Sequence, residues 1–196
     1  MLDSDFLDPF TRGGQEHDVF DTGARVFKAT KNGVFGFEPG IELALVSSGE
    51  DARRFHLWDA SPYFYLERLL LQNTHLTPQL NRLEGLVFQK ETLSIITSQP
   101  RFDLEAVKQD EISEWFGSLG FHTIARSSYY REEDNLGVFD AHDQNVVRAG
   151  DTLIPFDVIP CHPGTGFLEF IEETIAQGST VSAVRSVSLS GDFPEN

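Results

Sequence analysis

The sequence is poor in cysteine and has no long apolar run. Its single cysteine, Cys161, excludes an internal disulfide and a thiolate metal site. No segment approaches the roughly 20 apolar residues that span a bilayer. The acidic start of the chain lacks the basic residues and the apolar stretch of about 7–15 residues found in a secretory signal. We therefore expect a protein of the reducing cytosol that has no membrane partner.

Basic residues are also scarce. The chain has 15 Lys and Arg against 31 Asp and Glu, which gives a formal net charge of −16, and the acids are spread along the whole sequence. Such a charge repels nucleic-acid backbones and anionic lipid surfaces, so we expect neither as a partner. An anionic nucleotide can still bind through local Lys or Arg, backbone N–H groups or bridging Mg²⁺.

What is present is the composition of a folded protein. Apolar residues make up 40% of the chain, 17 residues are Phe, and 196 residues suffice for one domain or two small lobes. Residues 17–20 and 25–30 alternate apolar and polar side chains around a turn, which predicts a hairpin. Proline and glycine interrupt residues 32–58, which we expect to be irregular except for one strand near 41–46.

Ser61-Pro62 predicts a helix start, because serine caps helices and proline favours the first helical position. Tyr63, Leu66, Leu69 and Leu70 then recur at helical spacing. Further elements follow from apolar patterns and from the glycines that end them. They are strands at 83–88 and 92–97, a helix at 105–119, strands at 136–139, 145–148 and 152–159, a helix at 167–176, and an edge strand or loosely held tail from Ser179.

This order predicts an α+β fold with a strand-rich lobe at residues 1–98 and a smaller lobe at residues 99–196. The boundary falls near 98–103, because Pro100 breaks the strand before it.

Three oxygen-bearing side chains carry the chemistry. Asp140 and Asn145 flank a loop directly after an apolar strand, and Asp157 lies twelve residues further on in an apolar segment. The predicted hairpin returns Asp157 to the neighbourhood of Asn145. Carboxylate and amide oxygens suit Mg²⁺, and Asp140 on the other side of the loop can orient a hydroxyl and accept its proton.

The stretch 140–147 is similar to the catalytic loop of the kinase-like superfamily, in the D-x-H-x-x-N form of aminoglycoside and choline kinases. More narrowly, the chain resembles the serine/threonine/tyrosine kinase domain of bacterial polyvalent proteins, a family associated with phages and mobile elements. The matching stretches are 16–20, 65–70, 96–100 and 140–158, and the resemblance spans about residues 13–163. It implies a reduced kinase-like domain that transfers phosphate from ATP with Mg²⁺ to a protein or small molecule.

The resemblance also implies roles in the first half of the chain. Lys28 matches the strand lysine that contacts nucleotide phosphates, and Glu67 matches the helix glutamate that pairs with it. Gly13 and Gly14 stand where a glycine-rich loop covers the nucleotide. Ser98 and Gln99 lie in the hinge against which the adenine stacks. Asp140 is then the catalytic residue, and Asn145 and Asp157 are the metal ligands.

The chain departs from the superfamily pattern in three places. Val138-Phe139 replace the histidine and arginine of the H-R-D triplet, Val158-Ile159 replace the phenylalanine and glycine of D-F-G, and only 39 residues follow Asp157. A catalytically inactive nucleotide-binding or partner-binding module is therefore the second hypothesis.

Other interpretations of the same residues stay open. Asp140 and Asn145 can serve as turn residues, with Asp157 as a structural acid. His142, Asp143, Asp157 and His162 can form a hydrolytic transition-metal site, although no zinc-protease spacing supports it. Cys161 with His142 or His162 is a weaker candidate for a nucleophile pair, because prolines flank it. His142 can also bond Asp157 or a backbone carbonyl.

Overall fold

The computed structural model describes residues 4–7, 9–12, 14, 16–31, 33–45, 51–77, 80–89, 92–102 and 105–178. Three sequence predictions fall partly or wholly outside these described residues. They concern Gly13, the end of the predicted strand at Val46, and the tail from Ser179.

The described residues form antiparallel sheets and three α-helices, which confirms an α+β composition. The helices are α1 Pro62–Leu71, continued by a π-helical turn Gln72–Leu76, α2 Gln109–Ser118 and α3 Thr165–Ala176. The strands are β1 Thr11–Arg12, β2 His17–Asp21, β3 Arg25–Thr30, β4 Phe37–Leu45, β5 Asp51–Asp59, β6 Arg82–Gln89, β7 Thr92–Pro100, β8 Glu105–Ala106, β9 His122–Ala125, β10 Ser128–Arg131, β11 Leu136–Phe139, β12 Val146–Ala149, β13 Thr152–Pro155 and β14 Ile159–Cys161.

The largest sheet has five strands in the order β1-β2-β3-β7-β6. The predicted β2–β3 hairpin is confirmed, and Gly23 supplies the positive φ of 83° in its turn. Lys28 of β3 lies opposite Val19 on one side and Thr97 on the other. Because directly opposite residues share a face and neighbours alternate, Lys28 and Thr97 face α1, whereas Phe27 and Ser98 face away from it.

The prediction for residues 32–58 was wrong in part: the strand expected near 41–46 lies within β4, but the rest of the segment is not irregular. β4 and β5 pair over nine residues each, from Phe37 opposite Asp59 to Leu45 opposite Asp51. Pro39 and Gly40 are tolerated because, among the described residues, this sheet has two strands and each strand keeps one edge without a ladder partner.

The second half of the chain also differs from prediction. Residues 105–106 form the short strand β8, which pairs with β12, so the helix begins at Gln109 and not at 105. The segment 152–159 is two strands, β13 and β14, separated by a break that contains Asp157. β9 was not predicted, and it joins β10, β11 and β14 in a four-stranded sheet.

The start of α1 is as predicted, since the backbone N–H of Phe64 donates to the hydroxyl of Ser61 at 3.1 Å. The buried face of the helix is not the predicted one. Tyr63 and Leu70 are 73% and 64% exposed, whereas Tyr65 and Arg68 are buried. A charged residue therefore occupies the face that packs against the five-stranded sheet.

Two hydrophobic clusters hold these parts together. One surrounds Phe139 and Ile159 and receives α1, α3 and the β4–β5 hairpin. The other surrounds Phe116 and Tyr129 and receives α2. None of the helices in the described ranges is long and apolar enough to cross a membrane.

Candidate functional site

A polar cleft lies between the inner face of the five-stranded sheet, α1 and the break between β13 and β14. The space it encloses is about 10 Å³, room for about one water molecule. The side chains that line this polar cleft include five titratable ones, His17, Lys28, Tyr65, Arg68 and Asp157, together with Gln72, Asn81, Thr97 and Phe156.

An ion pair between Lys28 and Asp157 crosses the cleft. Lys28 Nζ lies 3.2 Å from Asp157 Oδ1, although the two residues are 129 positions apart in the chain. The Lys28 ammonium also lies 5.6 Å from the centre of the Phe156 ring. The lysine side chain is 13% exposed and the aspartate side chain 38%. The aspartate is therefore the more accessible partner.

The carboxyl of Asp157 is held in its ionised form. Burial acts to raise its pKa, but the nearby positive charges of Lys28 and Arg68 outweigh burial, and the pKa lies below its ordinary value. A carboxylate that is ionised at neutral pH and partly open to solvent can accept a cation.

Asp140 and Asn145 form a second polar group at the start of the loop after β11. Asn145 Nδ2 donates to the Asp140 carbonyl at 2.8 Å and to Asp140 Oδ2 at 3.1 Å. Asp140 has a φ of 57°, uncommon for a residue other than glycine, so its backbone turns sharply out of β11. The local bonds of Asn145 stabilise this turn.

Backbone hydrogen bonds join the group formed by Asp140 and Asn145 to the polar cleft. The carbonyl of Asn145 accepts from the N–H of Phe156 at 3.0 Å and from the N–H of Asp157 at 3.4 Å. The β12–β13 hairpin, with Val146 opposite Pro155, causes this proximity. The sequence-based expectation that a hairpin returns Asp157 to Asn145 is therefore confirmed.

The predicted pairing of Lys28 with Glu67 needs correction. Within the described part of the chain Lys28 is paired with Asp157, and no ion pair joins it to Glu67. At 3.6 residues per turn, Glu67 lies about 200° around α1 from Tyr65. Its charge acts instead on Cys161, on another side of the helix.

The residue predicted to cover the nucleotide, Gly14, and the two predicted to form the hinge, Ser98 and Gln99, lie in three different surroundings. Gly14 is exposed and its carbonyl accepts from Lys31 Nζ. Ser98 faces away from the cleft, where its hydroxyl accepts from Arg25 and donates to Glu84. Gln99 shares the cleft-facing side of β7 with Thr97, and it is 6% exposed. Among the residues that the structure describes, its Oε1 has no hydrogen-bond partner.

Sequence reasoning gave no role to Arg68 or Gln72, which help to complete the polar cleft. Arg68 donates to Glu16 Oε2 at 2.8 Å, and His17 Nε2 lies 2.9 Å from the Tyr65 hydroxyl. Gln72 donates to the carbonyl of Pro155 and so ties α1 to β13. Tyr65, Arg68 and Gln72 follow the i, i+3, i+7 spacing of one helix face, and that spacing is the signal that could have found them.

Burial governs the ionisation of the two aromatic groups in the cleft. Desolvation, aided by the charge of Lys28, lowers the pKa of His17 to about 3. Desolvation raises the pKa of Tyr65 to about 12. Both groups are therefore neutral near pH 7, and the charges in the cleft come from two cations and two carboxylates.

The rival chemical interpretations find no support in the geometry. Among the described residues no group of three His, Cys, Asp or Glu side chains could hold a metal ion. His142 Nδ1 accepts from the Gln144 N–H, and among the described residues no hydrogen bond joins His142 to Asp157. His162 bonds the Asn135 carbonyl. Burial raises the pKa of the Cys161 thiol well above its ordinary value, which leaves it a poor nucleophile.

The comparisons with known proteins point to one family. A family model described as a serine/threonine/tyrosine kinase found in polyvalent proteins matches residues 53–160, somewhat more than half of the chain. Neither the curated proteins nor the solved structures contain a match to the chain. The matched region includes α1, Asp140, Asn145 and Asp157, whereas Lys28 precedes it. The chain therefore belongs to the family of serine/threonine/tyrosine kinases found in polyvalent proteins.

Proposed function

We propose that the protein is an ATP- and Mg²⁺-dependent phosphotransferase whose nucleotide lies between a strand-rich lobe, residues 1–98, and a reduced lobe, residues 99–196. The observation that carries the proposal is the Lys28–Asp157 contact of 3.2 Å beside Asn145. The strand lysine lies against Asp157, and the backbone of Asn145 is hydrogen-bonded to that of Asp157, so a phosphate-binding cation and two residues with oxygen-bearing side chains are neighbours. Kinase-family membership supports the same chemistry.

The proposed roles divide by chemical type. Asp157 and the amide oxygen of Asn145 are hard ligands that suit Mg²⁺, and the bound ion would neutralise charge on the nucleotide phosphates. Asn145 already directs its amide nitrogen to Asp140, which leaves its oxygen as the ligand. Lys28 contacts phosphate once it is released from Asp157, and Gly13 and Gly14 cover the nucleotide.

Asp140 is the proposed catalytic base. It orients the hydroxyl of the acceptor, whose oxygen bonds to the γ-phosphorus while the bond from that phosphorus to the β–γ bridging oxygen breaks. The hydroxyl proton passes to the Asp140 carboxylate, and ADP leaves. The acceptor is a protein or a small molecule, and the proposed location is the cytosol.

Gln99 is the proposed adenine contact on the hinge, with Ser98 contributing backbone only. The amide oxygen of Gln99 is buried without a hydrogen-bond partner in the described part of the chain, and Gln99 lies on the cleft-facing side of β7. An exocyclic amine of the base would satisfy this acceptor.

The experiment is an ATP titration with and without Mg²⁺, followed by melting temperature, on wild type and Asp157→Ala. Ligand at about 100 times its Kd stabilises a protein by about 2.7 kcal/mol, and we expect that gain in wild type only with Mg²⁺. Asp157→Ala should lose the Mg²⁺-dependent part, whereas Asp151→Ala, an exposed turn residue, should keep it. A Mg²⁺ effect that survives in Asp157→Ala contradicts the metal assignment.

A catalytically inactive module is the second candidate, favoured by Val138-Phe139 in place of the histidine and arginine of the H-R-D triplet. Both functions require the cleft to open, because Lys28 is paired with Asp157 and the enclosed space of about 10 Å³ is far smaller than a nucleotide. Incubation with radiolabelled ATP and mixed acceptors separates the two functions. Transfer of label that Asp140→Asn abolishes supports the enzyme, whereas Mg²⁺-dependent binding without any transfer supports the module.

A further inference from the structure

Arg68 is an arginine in the interior of the protein. It is 3% exposed, and its guanidinium lies over the Tyr65 ring, 4.9 Å from the ring centre. A buried cation needs an anion beside it, and Glu16 provides one at 2.8 Å. The pKa of Arg68 is raised because the carboxylate of Glu16 outweighs the opposite effect of burial.

The backbone makes room for the Glu16 carboxylate. Gly36 has a φ of 78°, and a Cβ built there would lie 2.6 Å from the Glu16 carboxyl carbon. Any side chain at this position would displace the carboxylate. Three segments therefore meet at the ion pair: the residue before β2, the turn before β4, and α1.

The Glu16–Arg68 pair is connected to the Lys28–Asp157 pair through neutral groups. His17 Nδ1 lies 4.0 Å from Glu16 Oε2, and its Nε2 is bonded to Tyr65. Tyr65 and Thr97, which is directly opposite Lys28 in the sheet, both line the polar cleft. Arg68 and Lys28 both line the cleft beside Asp157. Movement of Arg68 therefore shifts the surroundings of Lys28 and Asp157.

We propose that Glu16 and Arg68 form the ion pair that positions the nucleotide site. They take the role that the family resemblance assigns to Lys28 and Glu67. The pair fixes α1 and the segment before β2 around Lys28 and Asp157, and so sets the affinity for Mg²⁺-ATP. When Lys28 leaves Asp157 for phosphate, Arg68 stays in place because Glu16 holds it. This inference rests on the proposed function.

The test compares variants for Mg²⁺-ATP affinity by calorimetry, with circular dichroism as the measure of folding. The double variant Glu16→Met/Arg68→Met replaces the buried pair by apolar side chains, a change that buried pairs often tolerate. We expect it to fold and to bind Mg²⁺-ATP about 10–100-fold more weakly, as when groups that orient metal ligands are removed. Arg68→Lys keeps the charge without the planar fork and should recover part of the affinity. Glu67→Gln is the matched control and should bind as wild type does.

Each outcome decides one point. A folded double variant with wild-type affinity overturns the positioning role, and so does an equal loss in Glu67→Gln. Should the double variant fail to fold, Arg68→Lys decides, because wild-type affinity there overturns the role and reduced affinity in a folded protein supports it. If wild type shows no Mg²⁺-dependent ATP binding, the proposed function fails together with this inference, whereas unchanged affinity in the variants removes the inference alone.

Discussion

The polar cleft and a second cavity enclose similar volumes of about 10 Å³ each. The second, which we call the apolar cavity, lies between β5, β9 and α3. Its walls are mainly aromatic and aliphatic, with Phe55, Ile124, Phe139, Phe167, Phe170 and Ile171 among them. The polar cleft, in contrast, holds the buried Glu16–Arg68 ion pair, the partly exposed Lys28–Asp157 ion pair and a neutral histidine.

The two cavities have equal volumes but different lining side chains, so their linings contribute differently to the free energy of unfolding. Around the apolar cavity, every buried side chain adds favourable transfer and packing energy. In the polar cleft, desolvation of the charges offsets much of their attraction, so an apolar replacement of similar shape would be about as stable. The polar cleft therefore adds little stability, but it contains groups with shifted pKa values, and such groups are most frequent at functional sites.

The largest effect on stability should come from the apolar cavity. Phe167 of α3 is 7% exposed and stacks on Phe139 with ring centres 5.4 Å apart. Phe167→Ala should lower the free energy of unfolding by about 3–5 kcal/mol, measured by urea denaturation. Phe88→Ala, at a site 54% exposed, is the control and should change little. A loss no larger than that of the control would show that the apolar cavity does not hold the fold together.

The polar cleft should determine how the free energy of unfolding depends on pH in the acidic range. The pKa of His17 is about 3 in the folded protein because the ring is buried, against 6.5 in the unfolded chain. Between these values the unfolded chain binds one more proton, so stability falls as pH falls from about 6.5 towards 3, by up to about 1.4 kcal/mol per pH unit.

His17→Phe should flatten this slope between pH 6 and 4, as read from urea midpoints at each pH. The Asp157 carboxyl, whose pKa is lowered, affects stability from about pH 5 downward, so the upper part of the window, between pH 6 and 5, is free of its contribution. His122→Gln, at an exposed position, is the control and should leave the slope unchanged. A steep slope that persists in His17→Phe would place the titrating group elsewhere.

Local signals accounted for the elements whose chemistry is local. The β2–β3 turn, the Ser61 cap and the end of α3 at Gly178 were all predictable, because a glycine or a capping serine acts within a few residues. The β4–β5 hairpin was missed because Pro39 and Gly40 argue against a strand in the middle of a sheet. A two-stranded ribbon with open edges escapes that argument.

The candidate site was predictable only in part. The proximity of Asn145 and Asp157 follows from one hairpin, and the sequence spacing indicates it. Lys28 with Asp157, and Glu16 with Arg68, join segments far apart in the chain, and no local pattern specifies such contacts. The buried face of α1 was misassigned because amphipathic patterns place charges outside, whereas Arg68 is paired inside.

The smallest expected change in the free energy of unfolding comes from a substitution at the start of α1 that leaves the charges of the polar cleft unchanged. Ser61→Ala removes the hydroxyl that accepts from the Phe64 N–H, and should lower the free energy of unfolding by about 1 kcal/mol. Ser61→Asn keeps a capping oxygen and should retain most of the stability. Urea denaturation measures both, and the Mg²⁺-ATP affinity of each folded variant should equal that of wild type, since α1 keeps its bonds to Glu16 and Pro155. A fall in affinity in Ser61→Ala but not in Ser61→Asn would mean that the cap itself, and not the buried ion pair, sets the position of α1.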